Sequence, residues 1–446
     1  LPIADGGPGS AQVIAPDQVA SREVIQGRGP LGQVREVDLV RLVPRPSRSG
    51  SRHPAEASTW FLDAARLLAL PSDPDEAAQE ALEGSTSGLG EVIGAALSRT
   101  GPLDTLVVGM SRSAVHDGGL GAIDALGGLR AAKDLVSHRS LGLALADDIS
   151  LGGMNGAGAA LTSITSISPE RAQELDRRAC TKAMESVRAA EDLDPDGLGV
   201  RRSLPVVSAL GDAGPSASVH AADSAGTARL SVSTWGTGAG GGSALLLRAL
   251  GAWARPGARV MAELVSLSEA AYGQDLVVSA WGELYDVLAD GVVGVVGQQA
   301  ASQAQPCILV CGRCAVSRGE LAAAGVTNAY GLQEAHDAEP WEAADSHGLE
   351  ARLVDLGSRV GRTCTPLPAN RGSVDGGRGS RVAHDEVGGE EHLGVGRPLP
   401  VELREERGYG RPADGLHGLT HRGQRRVRHG DEWRVVVADD GDVMRH

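Results

Sequence analysis

Lysine is nearly absent from this 446-residue sequence, in which only Lys133 and Lys182 occur among 42 basic residues. Neither lysine follows a glycine, so the Gly-Lys-Ser/Thr phosphate loop of many nucleotide-binding proteins is excluded. Aromatic residues make up 2% of the chain, and Phe61 is its single phenylalanine, so the core must be built from aliphatic side chains. This bias is typical of a GC-rich coding sequence and carries no functional information by itself.

The formal charge of −15 argues against nucleic acid or an anionic membrane as a partner, because such binding depends on Lys and Arg. No apolar run approaches the roughly 20 residues that a membrane span needs, and no signal-peptide pattern opens the chain. The sequence therefore predicts a cytoplasmic protein. It gives no indication of a protein partner.

The five cysteines are an odd number, which disfavours a disulfide framework. Cys307, Cys311 and Cys314 have a spacing that suggests a metal site at first sight. However, the first two flank Ile308-Leu309-Val310 in a predicted buried strand, where cysteine behaves as a small apolar residue, and no fourth ligand is nearby. No metal ligand is predicted.

Short apolar runs alternate with helix-like segments, which predicts an α/β fold. Residues 106–109 predict a strand, residues 110–119 a glycine-containing loop, and the stretch through Leu126 a helix. A helix before this strand is predicted from the apolar face formed by Val92, Ile93, Ala96 and Leu97. Ligands of such folds bind at loops beyond the strand ends, so residues 110–119 are a candidate site.

The same order of elements returns later in the chain. Glycine-rich residues 237–243 pass into a predicted helix over 244–250, and strands are predicted over 275–280 and 306–312. Ser168-Pro169-Glu170 predicts a helix start, with a capping serine, a proline in the first turn and an acid near the positive end of the helix dipole.

Three other segments have a distinct character. Residues 1–4 predict a strand that runs into a glycine turn, and residues 193–230 predict a long loop. Residues 366–446 lack a sustained apolar period and predict a disordered tail. A shifted reading frame is an alternative explanation of this tail.

One stretch resembles a known signature. The segment from Gly109 to Gly121 is similar to the glycerate kinase pattern GxGGSAxxDGGxG, with matches at Gly109, Ser113, Ala114, Asp117, Gly118, Gly119 and Gly121. Other family patterns follow in the expected order: ADGGxG at 4–9, GPLG at 29–32, GxGE at 88–91, a glycine-rich loop at 238–242, RPG at 255–257 and a DLV strand at 275–278. Over about residues 1–365 the chain thus resembles the glycerate kinase family.

The resemblance implies a two-domain α/β fold. A Rossmann-like domain would comprise residues 1–85 plus 255–365, a second α/β domain would be inserted as residues 86–254, and the tail 366–446 lies outside the resemblance. It further implies transfer of a phosphoryl group from ATP to glycerate with Mg²⁺, a reaction that depends mainly on positioning and charge neutralisation. Asp117 is the implied catalytic residue, and the implied substrate or nucleotide contacts are Asp5, Gly6, Gly7, Ser113, Gly118, Gly119, Gly240, Gly241 and Gly282.

Each of these motifs also has a purely structural interpretation. Asp117 can hold Mg²⁺ or accept a hydroxyl proton, or it can cap a helix in a tight turn. The Asp5-Gly6-Gly7 segment can contact ligand or simply form a turn. The glycine-rich loop at 238–242 can cradle an anion at a helix start or serve as a flexible connection.

The chain also departs from the family pattern. Ser111 and Arg112 replace two glycines, and Val115-His116 replaces a polar pair; an arginine there can block an anion or clamp it. Further on, the charged residues of the family's GEGRLD and Gly-Lys motifs align with Trp281, Glu283, Tyr285 and Val292. The family's PQKGA has no counterpart just ahead of Ser168-Pro169, where Ile164-Thr165-Ser166 stands instead. The family's opening APDSFKGS-like segment would precede Leu1. A catalytically silent paralogue that binds a metabolite or a protein, or a damaged kinase gene, are therefore the alternatives to an active kinase.

Overall fold

The computed structural model describes residues 1–44, 57–137, 139–193, 230–288, 290–332 and 346–364. Within these ranges the chain has an α/β fold with a six-stranded and a three-stranded sheet, which confirms the predicted fold class. The predicted loop at 193–230, apart from its two end residues, and the predicted tail lie outside the described residues.

The six-stranded sheet follows chain order, so each strand lies beside the preceding one. Its first three strands run antiparallel and the last four run parallel, so the carboxyl ends of β3 to β6 meet at one edge. The strands are Val19–Arg28 (β1), Val34–Leu42 (β2), Thr59–Leu62 (β3), Thr105–Met110 (β4), Ser140–Leu145 (β5) and Trp253–Pro256 (β6).

β1 and β2 form a hairpin that the sequence analysis did not predict. The GPLG segment is its turn: the Gly29 N–H donates to the Gln33 carbonyl at 2.6 Å, and the Gly32 N–H donates to the Gly29 carbonyl at 3.0 Å. Gly32 has a φ of 89°, a conformation that side chains disfavour. The glycine at this position is therefore explained by the turn alone.

The three-stranded sheet is fully parallel and consists of Val277–Leu284 (β7), Cys307–Cys314 (β8) and Asn328–Gly331 (β9). Cys307 and Cys311 are buried in β8, as the apolar run between them predicted. Burial raises the pKa of the Cys307 thiol to about 12, which keeps it protonated.

Helices connect and cover the strands. They are Pro74–Glu83 (α1), Ser87–Leu97 (α2), Leu120–Ala125 (α3), Leu129–Ser137 (α4), Ala157–Ile164 (α5), Pro169–Asp192 (α6), Ser243–Ala249 (α7), Gly257–Leu264 (α8), Leu267–Ala271 (α9), Val292–Ser302 (α10), Arg318–Ala323 (α11) and Ser346–Cys364 (α12). Short 3-10 helices lie at Ser10–Val13, Pro16–Gln18, Ala64–Leu68 and Ala239–Gly242. The predicted start of α6 is confirmed, since the Ser168 hydroxyl accepts the Arg171 N–H at 3.3 Å. Among the described residues no helix is both long and apolar enough to cross a membrane.

The six-stranded sheet has two apolar faces, because successive side chains of a strand point to opposite sides. In β4, Leu106, Val108 and Met110 join a cluster with residues of α2 and α7. Val107 points the other way and joins a cluster that includes Phe61 together with residues of α8, α10 and β8. This second cluster connects the six-stranded sheet to the elements around the three-stranded sheet.

The strand predicted at residues 1–4 is wrong: the first strand begins at Val19, and Ile3 instead packs, fully buried, on the sheet face that carries Phe61. The predicted domain boundary at residue 85 falls between β3 and β4, which are neighbours in one sheet. The domain bounds themselves stay a prediction.

Candidate functional site

Asp117 follows β4 and its carboxylate joins the starts of two helices. Its oxygens accept the Thr86 N–H at 2.9 Å and the Thr86 hydroxyl at 2.9 and 3.0 Å. They also accept the N–H groups of Gly119 at 2.9 Å and Gly121 at 3.3 Å. The side chain therefore supplies acceptors to the first turns of both α2 and α3, whose N–H groups have no partner within their own helix.

These contacts occupy the acceptor capacity of the Asp117 carboxylate. A carboxylate offers about four lone-pair positions, and Asp117 receives four donors: two from Thr86, one from Gly119 and one from Gly121. The geometry is that of the helix-capping alternative. A catalytic role for Asp117 stays a prediction.

The glycines after Asp117 contact the glycine-rich loop before α7. A Cβ added to Gly242 would lie 2.8 Å from the Gly118 Cα, and one added to Gly119 would lie 2.5 Å from the Ser243 Cα. Both distances are too short for any side chain. Thus the structure brings together two glycine motifs that are more than a hundred residues apart, and it packs their backbones directly against each other.

The rest of this loop is also closed by protein contacts. The Gly240 N–H donates to the Ser111 carbonyl at 2.9 Å, and the Gly242 N–H donates to the Gly238 carbonyl at 3.3 Å. Gly240 and Gly241 both have positive φ and are buried. Two of the N–H groups that an anion cradle would use are thus engaged inside the protein.

Ser113 has a local role in the same region. Its hydroxyl is buried and accepts the Val115 N–H at 3.2 Å. The next residue, His116, is also buried, and its Nε2 lies 3.2 Å from Asp176 Oδ1 on α6. These contacts hold the loop after β4 against α6.

The turn formed by Asp5, Gly6 and Gly7 lies at the carboxyl ends of β4 and β5. The Gly7 N–H donates to Asp5 Oδ1 at 2.8 Å. A Cβ on Gly6, whose φ is 93°, would lie 2.7 Å from the Ala144 carbonyl oxygen, and a Cβ on Gly109 would lie 2.6 Å from the Gly6 carbonyl oxygen. This predicted ligand-binding turn therefore lies over β4 and β5, where ligands of parallel sheets commonly bind.

An ion pair that the sequence did not predict lies at the same strand ends. Arg112 donates from its backbone N–H and from Nη2 to the Asp147 carboxylate, at 2.8 and 2.9 Å. The Arg112 side chain is 43% exposed. In place of a family glycine, the chain thus carries a half-exposed guanidinium that is oriented by a carboxylate.

The remaining predicted contact, Gly282, lies elsewhere. It is an exposed residue of β7 in the three-stranded sheet. Beside it, Trp281 Nε1 donates to the Glu283 carbonyl at 3.0 Å and the Tyr285 hydroxyl donates to Glu283 Oε2 at 2.7 Å. The hydrogen bond to Glu283 raises the pKa of Tyr285. This strand end therefore presents a carboxylate and two aromatic side chains where the family pattern places charged residues.

Sequence reasoning missed Asp63, the residue directly after β3. Its side chain is fully buried, and Oδ2 accepts the N–H groups of Gly9 at 3.1 Å and Ala11 at 3.2 Å, whereas Oδ1 has no hydrogen-bond partner. Burial raises the pKa of Asp63 to about 6. The sequence did offer a signal, since Asp63 directly follows the apolar run Trp60-Phe61-Leu62. Acids are rarely buried, so an acid at the end of a predicted buried strand is a candidate functional residue.

Mg²⁺, the metal ion that the family resemblance implies, prefers oxygen ligands in octahedral geometry. Among the described residues there is no group of three or more His, Cys, Asp or Glu side chains that could hold a metal ion. The Asp117 oxygens are occupied by donors and Asp147 is held by Arg112. The described residues therefore do not fit a metal ion held by the protein alone.

Comparison with known proteins identifies one family. The sequence pattern of the glycerate kinase family matches residues 1–166 and 216–363. Uncharacterised proteins of Mycobacterium bovis and Mycobacterium tuberculosis are each 26% identical to this chain over 365 residues, 80% of either length. A glycerate kinase of Bacillus subtilis is 34% identical over 129 residues, which are 29% of this chain and 30% of that protein.

A solved structure supports the same assignment at the level of the fold. The crystal structure of a protein assigned as glycerate kinase 2 of Salmonella typhimurium LT2 has a TM-score of 0.51. The similarity covers 82% of this chain and 87% of the other, at 19% sequence identity. The fold is therefore glycerate kinase-like.

Proposed function

Because this chain belongs to the glycerate kinase family, we propose that it binds glycerate and transfers to it the γ-phosphoryl group of ATP. The observation that carries this proposal is the position of the Asp5-Gly6-Gly7 turn at the carboxyl ends of β4 and β5. Ligands of open α/β sheets bind at this edge. The proposal also agrees with the predicted cytoplasmic location, where ATP is available.

Arg112 supports the binding of an anionic substrate at this edge. It is the single Arg or Lys in residues 111–119 and 146–156, the loops that follow β4 and β5. Its guanidinium is half-exposed and oriented by Asp147, so a substrate carboxylate can share it in a bidentate manner. Mg²⁺ bound to the phosphates of ATP would supply charge neutralisation during transfer.

A second function is favoured by two specific observations. The Asp117 carboxylate is fully engaged by helix N–H groups and Thr86, and Glu283 stands where the family pattern has arginine. Both reduce the groups available for transition-state stabilisation. They support a binding protein that retains the family fold without turnover.

Titration calorimetry with D-glycerate and with Mg-ATP, followed by a coupled ADP-release assay, tests these proposals. Kinases turn over at about 1–100 s⁻¹, and loss of one electrostatic group costs about a hundredfold or more. We therefore expect slow ADP release that depends on glycerate. Binding without any ADP release would support the silent alternative, and lack of binding to both ligands would contradict the proposed kinase function.

A matched pair of variants locates the binding site. Asp5→Asn alters the turn at the strand ends, whereas Asp17→Asn changes an exposed acid on the 3-10 helix Pro16–Gln18. We expect weaker D-glycerate binding in the first variant and unchanged binding in the second. Equal affinities of the two variants for D-glycerate would show that the turn is not part of the binding site.

A further inference from the structure

A buried acid is connected to the predicted substrate turn through a single serine. Asp63 holds the N–H groups of Gly9 and Ala11, the residues on either side of Ser10. The Ser10 hydroxyl accepts the Gly6 N–H at 3.1 Å and donates to the Gly7 carbonyl at 2.7 Å. Ser10 is 1% exposed. The contacts therefore run without interruption from Asp63 through Ser10 to the turn.

The two oxygens of Asp63 differ in a way that matters for its charge. Oδ2 has two N–H partners, and Oδ1 is buried with none. A negative charge is costly to bury, and more so when half of it has no donor. A proton on Oδ1 removes that charge, and Oδ2 still accepts both N–H groups, although these bonds are weaker to a neutral carboxyl than to a carboxylate.

We propose that Asp63 is a positioning residue that fixes the Asp5-Gly6-Gly7 turn through Ser10. The protonated carboxyl favours the fixed turn, in which Asp63 is shielded from water, while the ionised carboxyl favours a released turn that admits water to Asp63. The proposal rests on the proposed function where it assigns the turn to substrate binding. The contacts between Asp63, Ser10 and the turn do not depend on that assignment.

Neighbouring groups shift the pKa of Asp63 in both directions. Burial is the largest influence and raises the pKa of Asp63 to about 6, and the charge of Asp38 on β2 also raises it. The N–H donors of Ala11 and Gly9 and the charge of Arg66 in the helix Ala64–Leu68 lower it, but they do not cancel the effect of burial. Arg22 on β1 lies 3.9 Å from Asp38 and donates to the Ala11 carbonyl at 2.8 Å. A raised pKa means that the folded arrangement binds the proton more tightly than a solvated carboxyl does. Release of the turn is therefore expected as pH rises through about 6.

Amide hydrogen exchange of the full chain between pH 5 and pH 7.5, corrected for the intrinsic rate at each pH, tests the positioning directly. In the wild type we expect the protection of Gly6, Gly9 and Ala11 to fall several-fold as pH rises. Asp63→Asn keeps one carbonyl oxygen and no charge, so its protection should not change with pH. An unchanged wild-type profile, or the same pH dependence in Asp63→Asn, would overturn the proposal.

Ser10→Ala tests the connection, because it removes the hydroxyl and leaves Asp63 in place. Gly6 should then lose protection several-fold, while Gly9 and Ala11 keep their pH dependence. Equal protection of Gly6 in Ser10→Ala and the wild type would show that the serine does not transmit the effect. This variant is informative even if Asp63 substitutions impair folding.

Calorimetry with D-glycerate over the same pH range tests the consequence for binding. We expect the wild-type dissociation constant to rise several-fold with pH and that of Asp63→Asn to stay constant. If the wild-type protein binds no D-glycerate at any pH, the proposed function is contradicted. Hydrogen exchange then tests, without a binding measurement, whether Asp63 positions the turn. Identical pH dependence of binding in both proteins would contradict the link between Asp63 and the substrate turn.

Discussion

Gly242 lies directly against Gly118, so close that a Cβ on Gly242 would be 2.8 Å from the Gly118 Cα. Gly242 has a φ of 99° and Gly118 a φ of 73°. Positive φ and close backbone contact are two separate reasons for glycine at this point. The contact couples the loop after β4 to the start of α7.

Gly242→Ala is therefore expected to be strongly destabilising. The positive φ costs about 1–3 kcal/mol for a residue other than glycine, and the clash with Gly118 brings the total to roughly 3 kcal/mol or more. Gly251→Ala is the matched control, because Gly251 has a φ of 112° but nothing within 4 Å of an added Cβ. Urea unfolding of both variants measures the difference. Equal losses would show that the contact with Gly118 contributes nothing.

Asp117→Asn separates helix capping from catalysis. An amide has one acceptor oxygen, which cannot serve the four donors that Asp117 receives, so we expect a loss of about 1–3 kcal/mol in the free energy of unfolding. Asp73→Asn is the control, because Asp73 caps α1 through one N–H and asparagine caps about as well as aspartate. A variant Asp117→Asn that keeps full stability but loses turnover would instead support the catalytic interpretation.

The sequence predicts those helices and strands well whose pattern depends on adjacent residues. The capped start of α6 at Ser168 and the strand at 106–109 depend on adjacent residues, and both are confirmed. The hairpin of β1 and β2 was missed, because exposed polar residues such as Arg22 and Glu23 interrupt its apolar alternation.

The site was predictable only in part, because its contacts join distant residues. The glycines after Asp117 and those before α7 were both identified, but no spacing shows that they pack against each other. Asp63 reaches Ala11 across 52 residues, and Asp117 reaches Thr86 across 31. Such pairings depend on tertiary structure, so the sequence could name Asp117 but could not decide between capping and catalysis.

Stability should fall with rising pH because of Asp63. Burial raises its pKa from 3.8 to about 6, so the group stabilises the fold below about pH 4 and this contribution is lost as pH rises through 6. The full effect corresponds to about 3 kcal/mol. Urea unfolding between pH 4.5 and 7.5 should show a weaker pH dependence in Asp63→Asn than in the wild type, with Asp17→Asn as the exposed control. Parallel curves for all three proteins would contradict the assigned pKa.

Two ion pairs, one buried and one half-exposed, test how burial changes the contribution of an ion pair to the free energy of unfolding. Arg35 Nη2 donates to Glu80 Oε1 at 3.2 Å, and the Glu80 side chain is 3% exposed, with its second oxygen lacking a hydrogen-bond partner. Burial raises the pKa of Glu80, and the charge and hydrogen bond of Arg35 lower it. Removal of the arginine leaves that carboxylate without its guanidinium.

We therefore expect Arg35→Ala to cost about 2–4 kcal/mol at pH 7, since loss of one partner of a buried pair leaves an uncompensated charge. Arg112→Ala should cost less than about 1 kcal/mol, because its pair with Asp147 is half-exposed and screened by water. Urea unfolding at low and high salt measures both. The loss in Arg35→Ala should shrink at acidic pH, where Glu80 is protonated, and a loss that does not depend on pH would assign the effect to packing of the Arg35 side chain instead.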